Sequence, residues 1–213
     1  MKIVVLSDTH TLHRQIKDLP DADLLIHAGD IMSSGFEMRE VEDFADWYGK
    51  LKHSHKILVA GNHDRVFENK HRLEAEKILE NHQIIYLNDS GLTIDGIRIW
   101  GSPIQPWFCD WAFNRNRGRE IKKHWDLIPD NTDILITHGP AYGYGDKLNS
   151  HPMEQVGCQD LLEAIQRIKP RYHIYGHIHE GYGIKTNGST TFINCSILNE
   201  HYRLQNQPIL IEL

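Results

Sequence analysis

Five segments of this 213-residue sequence contain residues of the types that can bind metal ions, and each segment follows a short apolar run. Their side chains are carboxylates, imidazoles and one amide, without a thiol. Oxygen and imidazole donors without thiolates suit divalent Mn, Fe, Co, Ni or Zn in a catalytic rather than a structural setting. The segments are Ser7-Asp8-Thr9-His10, Ala28-Gly29-Asp30, Gly61-Asn62-His63-Asp64, His138-Gly139 and Gly176-His177-Ile178-His179.

The number of candidate ligands in these segments exceeds the needs of one ion. Seven donors suffice for two ions if one carboxylate bridges them. Two divalent cations, two aspartates and a bridging hydroxide would leave a net charge of about +1, which attracts phosphate. A single Asp or His residue of this kind is more often a helix cap or a hydrogen-bonded core histidine. The occurrence of such residues after all five apolar runs, however, favours a metal centre. The candidates are Asp8, His10, Asp30, Asn62, His138, His177 and His179.

Glycines adjoin the candidate ligands in four of the segments. Gly29, Gly61, Gly139 and Gly176 each stand beside a ligand position. A tight turn or a close approach of the backbone to a ligand leaves no room for a Cβ atom. We therefore expect these four positions to require glycine. The alternative is that they are ordinary loop glycines without a steric role.

The apolar runs before these segments are short and rich in β-branched residues, which predicts buried strands. Helical patterns lie between them, with Val41, Phe44, Ala45 and Tyr48 at offsets 0, 3, 4 and 7 as one example. Alternating strands and helices favour an α/β fold, in which the carboxyl ends of parallel strands share one sheet edge. The predicted strands cover residues 3–6, 24–26, 57–59, 134–136 and 172–175.

Two further apolar runs indicate that the sheet is mixed. Residues 97–100 follow Asp95-Gly96, and residues 190–193 follow Asn187-Gly188. Both dipeptides are typical of tight turns in antiparallel hairpins. A second helical stripe is predicted from Leu161, Leu162, Ile165 and Ile168.

Composition and charge narrow the class of protein. The length and the 40% hydrophobic content predict a single domain over residues 1–213. The net charge of −6 disfavours extended nucleic acid and anionic membranes as partners. The sequence has no apolar run of membrane-spanning length, and no cleavage site follows its first apolar run. With three scattered cysteines read as reduced thiols, we expect a soluble cytoplasmic protein.

The five segments together resemble the five-block signature of the calcineurin-like metallophosphoesterases, in order and in spacing, from residue 8 to residue 179. Further segments resemble the metallophosphoesterase-domain-containing branch of that family and extend the resemblance over nearly the whole chain. They are Gly101-Ser102-Pro103, Pro106-Trp107-Phe108, Ala112-Phe113-Asn114 and Thr137-His138-Gly139-Pro140.

The resemblance implies an α/β fold of two facing mixed β-sheets flanked by helices, with a dinuclear metal site at the strand ends. Asp30 would bridge the two ions, and every ligand position of the family is present. The implied ligands of one ion are Asp8, His10, Asp30 and His179, and those of the other are Asp30, Asn62, His138 and His177. Manganese is the favoured metal, and iron, zinc, cobalt and nickel remain open.

The implied mechanism is in-line attack on phosphorus by a hydroxide shared between the two metals, without a covalent phosphoenzyme. His63 resembles the non-ligand histidine of the family, which protonates the leaving oxygen or stabilises charge on the transferred group. Asp64 is expected to cap the following helix or to orient His63, and Arg65 either contacts a phosphate oxygen or lies in solvent.

Substrate choice is expected to depend on the long non-periodic stretch at residues 102–119. Trp107, Phe108 or Phe113 could stack on a base, and Asn114 or Arg115 could reach a ribose or a phosphate. A small apolar cluster beneath the loop is the alternative for these aromatic residues. A second candidate rim comprises Tyr142, Tyr144 and Asp146.

The histidines outside the five segments are not expected to bind metal. His27 and His173 lie within predicted strands and are interpreted as hydrogen-bonded core residues. The other eight have no predicted place beyond a polar surface. They are His13, His53, His55, His71, His82, His124, His151 and His201.

The sequence thus predicts a metal-dependent phosphoric ester hydrolase. The family resemblance and the aromatic stretch imply, most concretely, a phosphodiesterase for a small ester such as a cyclic nucleotide. A phosphomonoesterase is the first alternative, because the same metal centre suits both ester classes. A non-catalytic protein-binding scaffold of the same fold is the second, and the complete set of ligands disfavours it. Oligomeric state and pathway remain open.

Overall fold

Strands and helices alternate along most of the chain. The computed structural model describes residues 1–213 apart from the side chain at position 152. Four α-helices and fifteen strands are present in this described part. The helices are α1 (Met38–Gly49), α2 (Arg72–Asn81), α3 (Arg119–Trp125) and α4 (Gln159–Ile168). The strands are β1 (Lys2–Leu6), β2 (Leu24–His27), β3 (His55–Val59), β4 (Ile85–Leu87), β5 (Ser90–Ile94), β6 (Ile97–Ser102), β7 (Gln105–Pro106), β8 (Asn114–Arg115), β9 (Ile134–Thr137), β10 (Lys147–Leu148), β11 (His151–Gln155), β12 (Tyr172–Tyr175), β13 (Gly183–Thr186), β14 (Thr191–Asn194) and β15 (Ile209–Glu212).

Two large mixed sheets form the framework. The first has the order β15-β1-β2-β3-β4, with β1 to β4 parallel and β15 antiparallel to β1. The second has the order β13-β14-β12-β9-β6-β5, with four central parallel strands between antiparallel edges. The five strands predicted from the sequence are all parallel members of these sheets. Their carboxyl ends therefore carry the five metal-binding segments.

The two sheets pack face to face, and helices cover their outer faces. In β1, Ile3 and Val5 lie in an apolar cluster with Ile136 of the second sheet. Val4 and Leu6 lie instead in the cluster that contains the helix residues. This two-residue alternation is the normal consequence of strand geometry. The predicted fold of two facing mixed sheets flanked by helices is confirmed.

The two predicted hairpins are also present. β5 and β6 pair antiparallel around Asp95 and Gly96, whose φ angles of 48° and 83° suit a two-residue turn. β13 and β14 pair antiparallel around a turn in which Gly188 has φ 90°. Each hairpin supplies an antiparallel edge strand of the second sheet.

The helical stripes are confirmed by burial. Val41, Phe44, Ala45 and Tyr48 form the buried face of α1. In α4, Leu161, Ile165 and Ile168 are buried, and Leu162 packs against the core from a partly buried position. None of the helices in the described chain has both the length and the apolar character needed to cross a bilayer.

The expected core histidines are buried and hydrogen-bonded. His27 Nε2 lies 3.1 Å from Thr9 Oγ1, and His173 Nε2 lies 2.8 Å from Thr137 Oγ1. Two histidines expected at the surface are buried instead. His13 packs against aromatic residues of α1, and His53 contacts the Pro20 carbonyl oxygen at 3.0 Å. Three-dimensional packing sets these two positions, and no local pattern indicates them.

Burial of His173 predicts an acid-sensitive stability. Burial lowers the pKa of His173 to about 3, whereas the unfolded chain has a value near 6.5. Below pH 6.5 the unfolded state binds a proton that the folded state does not, so stability falls as the pH falls from 6.5 towards 3. Replacing His173 by Gln is expected to weaken this dependence by about 1.4 kcal/mol per pH unit.

Urea unfolding at pH 7, 6 and 5 measures this dependence in both proteins. The exposed His201→Gln variant is the control and should retain the wild-type dependence. If the unfolding free energy of His173→Gln depends on pH as strongly as that of the wild type, His173 is not the group that binds a proton on unfolding, and the prediction is wrong.

Candidate metal centre

The five metal-binding segments meet at the carboxyl ends of β1, β2, β3, β9 and β12. The backbone there is strained, because four candidate ligands have left-handed conformations that side chains other than glycine rarely adopt. Asp8, His10, Asp30 and His177 have φ angles of 54°, 40°, 59° and 68°. Such conformations cost energy and concentrate at functional sites.

The structure brings all seven predicted ligands together. One group comprises Asp8, His10 and His179, with donor atoms within 4.8 Å of one another. A second group, with the same spacing, comprises Asp30, His138 and His177. The amide of the remaining candidate, Asn62, places its Oδ1 2.9 Å from His138 Nε2.

Asp30 lies between the two groups. Its Oδ2 atom is 3.6 Å from His10 Nε2 and 3.3 Å from His138 Nε2. Its Oδ1 atom accepts a hydrogen bond of 2.8 Å from the backbone N–H of His63. One carboxylate oxygen therefore faces imidazoles of both groups.

Three imidazoles are oriented by backbone carbonyls. Each donates its Nδ1–H to the carbonyl, which leaves Nε2 facing the carboxylates, where its lone pair would be offered to a bound cation. The Nε2 atom of His10 is buried and has no hydrogen-bond partner. An unpartnered buried nitrogen beside carboxylates fits a cation. The carbonyl partners are Met32 for His10 at 3.1 Å, Ala28 for His138 at 2.9 Å and Asn199 for His179 at 2.9 Å.

Asp8 is held by serines that the sequence analysis did not identify. Ser196 Oγ donates to Asp8 Oδ2 at 2.7 Å, and Ser7 Oγ donates to the same oxygen. The other oxygen, Oδ1, lies 3.4 Å from His179 Nε2. Ser7 directly precedes Asp8 in the sequence, so its position beside a candidate ligand could have indicated it. Ser196 lies after the last motif and comes close to Asp8 only in the folded chain.

The charges of the two aspartates and two histidines depend on one another. Burial alone would raise the pKa of Asp8, but the hydrogen bond and charge of His179 hold it well below its usual range. Asp30 is likewise lowered in pKa by His138 against the effect of burial. Burial lowers the pKa of His138 and of His179, but the neighbouring aspartates raise each to about 9. The site thus favours carboxylates beside positive charge.

Comparison with known proteins places this site in a family. The profile of the calcineurin-like phosphoesterase family matches residues 1–181. The chain belongs to this family. Human and mouse metallophosphoesterase domain-containing protein 1 are each 42% identical to it, over 100% of this chain and 71% of theirs. A UPF0046 protein of Caenorhabditis elegans is 39% identical, over 99% of this chain and 74% of its own.

Solved structures share the fold of this calcineurin-like phosphoesterase. One has a TM-score of 0.69 at 16% identity and covers 91% of this chain and 89% of its own. A Thermus thermophilus protein has a TM-score of 0.60 at 13% identity, with coverages of 91% and 88%. Family membership identifies a metal-dependent hydrolase of phosphate esters, for which the clustered donors suit divalent metals.

Asp64 connects the loops that carry the ligands, which differs from both expected roles. Its side chain makes no cap of the following 3-10 turn Arg65–Phe67. It accepts backbone N–H groups from three residues, at 2.9 Å from Asp30, 2.9 Å from Met32 and 2.8 Å from Gly61. The carboxylate therefore ties the loop after β2, which carries Asp30, to the loop after β3, which carries Asn62.

Three of the four glycines have the predicted crowded surroundings. A Cβ atom at Gly29 would overlap His138 Nδ1, and one at Gly61 would overlap Asp30 Oδ1. A Cβ atom at Gly176 would overlap Asp8 Oδ2 and Ser7 Oγ. Gly139 is different, because its nearest neighbour would be Gln105 Cβ at an ordinary 3.7 Å. The prediction of a close backbone approach is therefore wrong at Gly139.

This contrast predicts different outcomes for two alanine substitutions. Gly176→Ala is expected to cost about 1 to 3 kcal/mol in unfolding free energy, because the new methyl group displaces Asp8. It should also abolish the rise in Tm that Mn²⁺ gives the wild type. Gly139→Ala is the matched control and should retain both stability and the metal-dependent rise. Urea unfolding and thermal melts measure these effects, and equal losses in the two variants would contradict the prediction.

A cavity of about 630 Å³ opens beside the metal-binding residues. Trp107 and Phe108 line it and are 58% and 55% exposed, so they remain available to a ligand. Phe113 is only 2% exposed and belongs to the core, so stacking on a substrate is excluded for it. The aromatic stretch therefore divides between a cavity wall and a core element.

Polar residues expected to contact substrate are occupied elsewhere. Asn114 is buried, and its side-chain amide donates to the Phe108 and Cys109 carbonyls. Arg115 bonds Glu68 at 2.9 Å. Both residues form β8, which pairs with β7 and closes the loop. They therefore shape the loop and do not line the cavity.

The second candidate rim contributes one residue to the cavity. Tyr142 lines it. Tyr144 stacks on Phe192 with ring centroids 3.6 Å apart, and Asp146 is buried and accepts the Gly143 N–H at 2.8 Å. Packing thus accounts for Tyr144, and hydrogen bonding accounts for Asp146.

Proposed function

We propose that this chain is a phosphodiesterase that holds two divalent cations and hydrolyses a small phosphodiester such as a cyclic nucleotide. The observation that carries the two-cation centre is Asp30 Oδ2, which faces both His10 Nε2 and His138 Nε2. Asp30 is the bridging ligand in this proposal. One ion is assigned to Asp8, His10, Asp30 and His179, and the other to Asp30, Asn62, His138 and His177. Manganese is the favoured metal.

When bound, such cations supply Lewis acidity for phosphoryl oxygens and activate water near neutral pH. The chain's own residues orient and protonate the reacting groups. Asp64, Ser7 and Ser196 hold the carboxylates and turns in place. His63 lies at the cavity wall and is assigned to donate a proton to the leaving oxygen.

The residues that line the cavity favour a diester substrate that carries a flat, uncharged group. Trp107, Phe108 and Tyr142 present exposed aromatic surface there. The guanidinium of Arg117 is bonded to backbone carbonyls of Gly157 and Val156, at 2.8 Å and 2.7 Å. Aromatic faces bind bases of any sequence by stacking, which fits a single nucleotide.

Hydrolysis of bis-p-nitrophenyl phosphate and p-nitrophenyl phosphate with added Mn²⁺ tests the proposal. The expected result is chelator-sensitive hydrolysis with a higher kcat/KM for the diester, followed by activity on cyclic nucleotides. A preference for the monoester would replace the proposal with a phosphomonoesterase. Metal binding without hydrolysis of either ester or of cyclic nucleotides would overturn the enzymatic proposal in favour of a binding scaffold.

A further inference from the structure

His63 has one ring nitrogen free for a substrate. Its Nδ1 donates a hydrogen bond to the Ser33 carbonyl, which leaves Nε2 to face a substrate. To act as a proton donor the ring must be in the imidazolium form, which carries the transferred proton on Nε2 and keeps the Nδ1–H bond to Ser33. The ring packs edge-on against His10, with centroids 4.6 Å apart and planes at 83°. Its donor atom lies within 4.8 Å of donor atoms of His10 and Asp30. The imidazole is thus at the border between the ligand cluster and the cavity.

Trp111 stacks directly on this imidazole. The ring centroids are 4.0 Å apart and the planes meet at 27°. No other aromatic ring among the described residues stacks on His63, since His10 and Tyr202 meet it at steep angles. The stack restricts rotation of a side chain that a single carbonyl hydrogen bond would leave mobile.

Trp111 is itself held in place by the turn that carries His63. The Arg65 guanidinium carbon lies 4.6 Å from the centroid of the Trp111 ring, within the range of a cation–π interaction. Arg65 also donates to the Asp110 carbonyl, and the backbone N–H of Ala112 donates to the Asn62 carbonyl at 3.2 Å. These contacts therefore tie the segment that carries Trp111 to the turn that carries His63.

We propose that Trp111 is a positioning residue, which holds the His63 imidazole so that Nε2 meets the leaving oxygen of the substrate. This proposal rests on the proposed function of His63 as a proton donor. Trp111 differs in this respect from Trp107, whose indole has no aromatic or cationic partner among the described residues. Misplacing a reacting group by about 1 Å can cost 10²-fold in rate.

The Trp111→Leu variant tests the proposal through the leaving group. Diphenyl phosphate has a basic leaving group that needs a proton, whereas p-nitrophenolate leaves without one. Trp111→Leu is expected to lower kcat about 10- to 100-fold on diphenyl phosphate and less than about 3-fold on bis-p-nitrophenyl phosphate. Trp111→Phe should recover most of the loss, because its ring can still stack.

Two comparisons separate the possible failures. Adding Trp111→Leu to His63→Asn should cause no further loss if the tryptophan acts through the histidine, whereas Trp107→Leu should lower kcat/KM on both esters alike. If His63→Asn itself shows no leaving-group dependence, the proton-donor function fails. If it does and Trp111→Leu lowers both esters equally, the positioning proposal is overturned.

Proton NMR of the protein without substrate supplies a readout independent of activity. The Cε1–H resonance of His63 is assigned by its loss in His63→Asn. In the stacked arrangement the indole ring current shifts this resonance upfield, and Trp111→Leu should move it downfield. An unchanged resonance would show that the stack is absent and would overturn the proposal.

Discussion

Replacing Asp30 by Asn is expected to abolish nearly all phosphoesterase activity. The substitution keeps an oxygen for the His63 N–H, which Asp30 accepts at 2.8 Å, but removes the charge between the two groups of ligands. An uncharged amide cannot bridge two cations as a carboxylate does. We expect kcat to fall at least about 10³-fold, or about 4 kcal/mol of transition-state stabilisation.

Metal binding provides the second readout for Asp30→Asn. Mn²⁺ should raise the Tm of the wild type by an amount that grows with the logarithm of the ratio of its concentration to its Kd, and this rise should be lost or strongly reduced in the variant. Asp133→Asn is the matched control, because Asp133 precedes β9 at the end opposite His138 and pairs with Arg98. Full activity of Asp30→Asn with an undiminished metal-dependent Tm would contradict the bridging assignment.

Replacing His63 by Asn should produce the next largest loss, and its size should depend on the substrate. General acid catalysis contributes about 10²- to 10⁴-fold, so a loss of this size is expected in kcat on diphenyl phosphate. On bis-p-nitrophenyl phosphate the loss should be less than about 10-fold, because the leaving group needs little protonation. Steady-state kinetics on the two diesters measures the difference.

The control for this experiment is His71→Asn, since His71 is half-exposed and precedes α2 outside the cavity. Its kinetics on both esters should match the wild type. An equal loss on the two diesters in His63→Asn would show that His63 binds substrate or supports structure. A loss of metal-dependent stabilisation in that variant would instead make His63 a ligand, which its place beside His10 and Asp30 permits sterically.

The positions of the strands and helices along the chain show where prediction from sequence is strongest. The alternation of apolar runs and helical stripes determines which residues are buried, because strand and helix periods are local properties of the chain. That pattern, with turn dipeptides such as Asp95-Gly96, predicted the parallel strands and the hairpins found in the structure. Placing ligand residues after such strands was enough to predict their convergence at one edge.

The supporting contacts could not be predicted in the same way. Met32, Ala28 and Asn199 act through backbone carbonyls, which every residue has and no residue type reveals. Asp64 resembles a helix cap in sequence, yet the fold directs it to three N–H groups on two loops. These partners lie as much as 34 residues away for Asp64, so only the folded chain brings them together.

The same distinction separates the aromatic residues of the 102–119 stretch. By itself, the sequence identified seven candidate ligands and the alternation of strands and helices in a mixed sheet, because residue type and periodicity are local properties of the chain. The arrangement of two facing sheets followed from the resemblance to the family. It could not distinguish Phe113, which is buried, from Trp107, which is exposed, or identify Trp111 as the partner of His63. Those assignments depend on which face of each ring is covered by distant residues, and only the tertiary structure decides that.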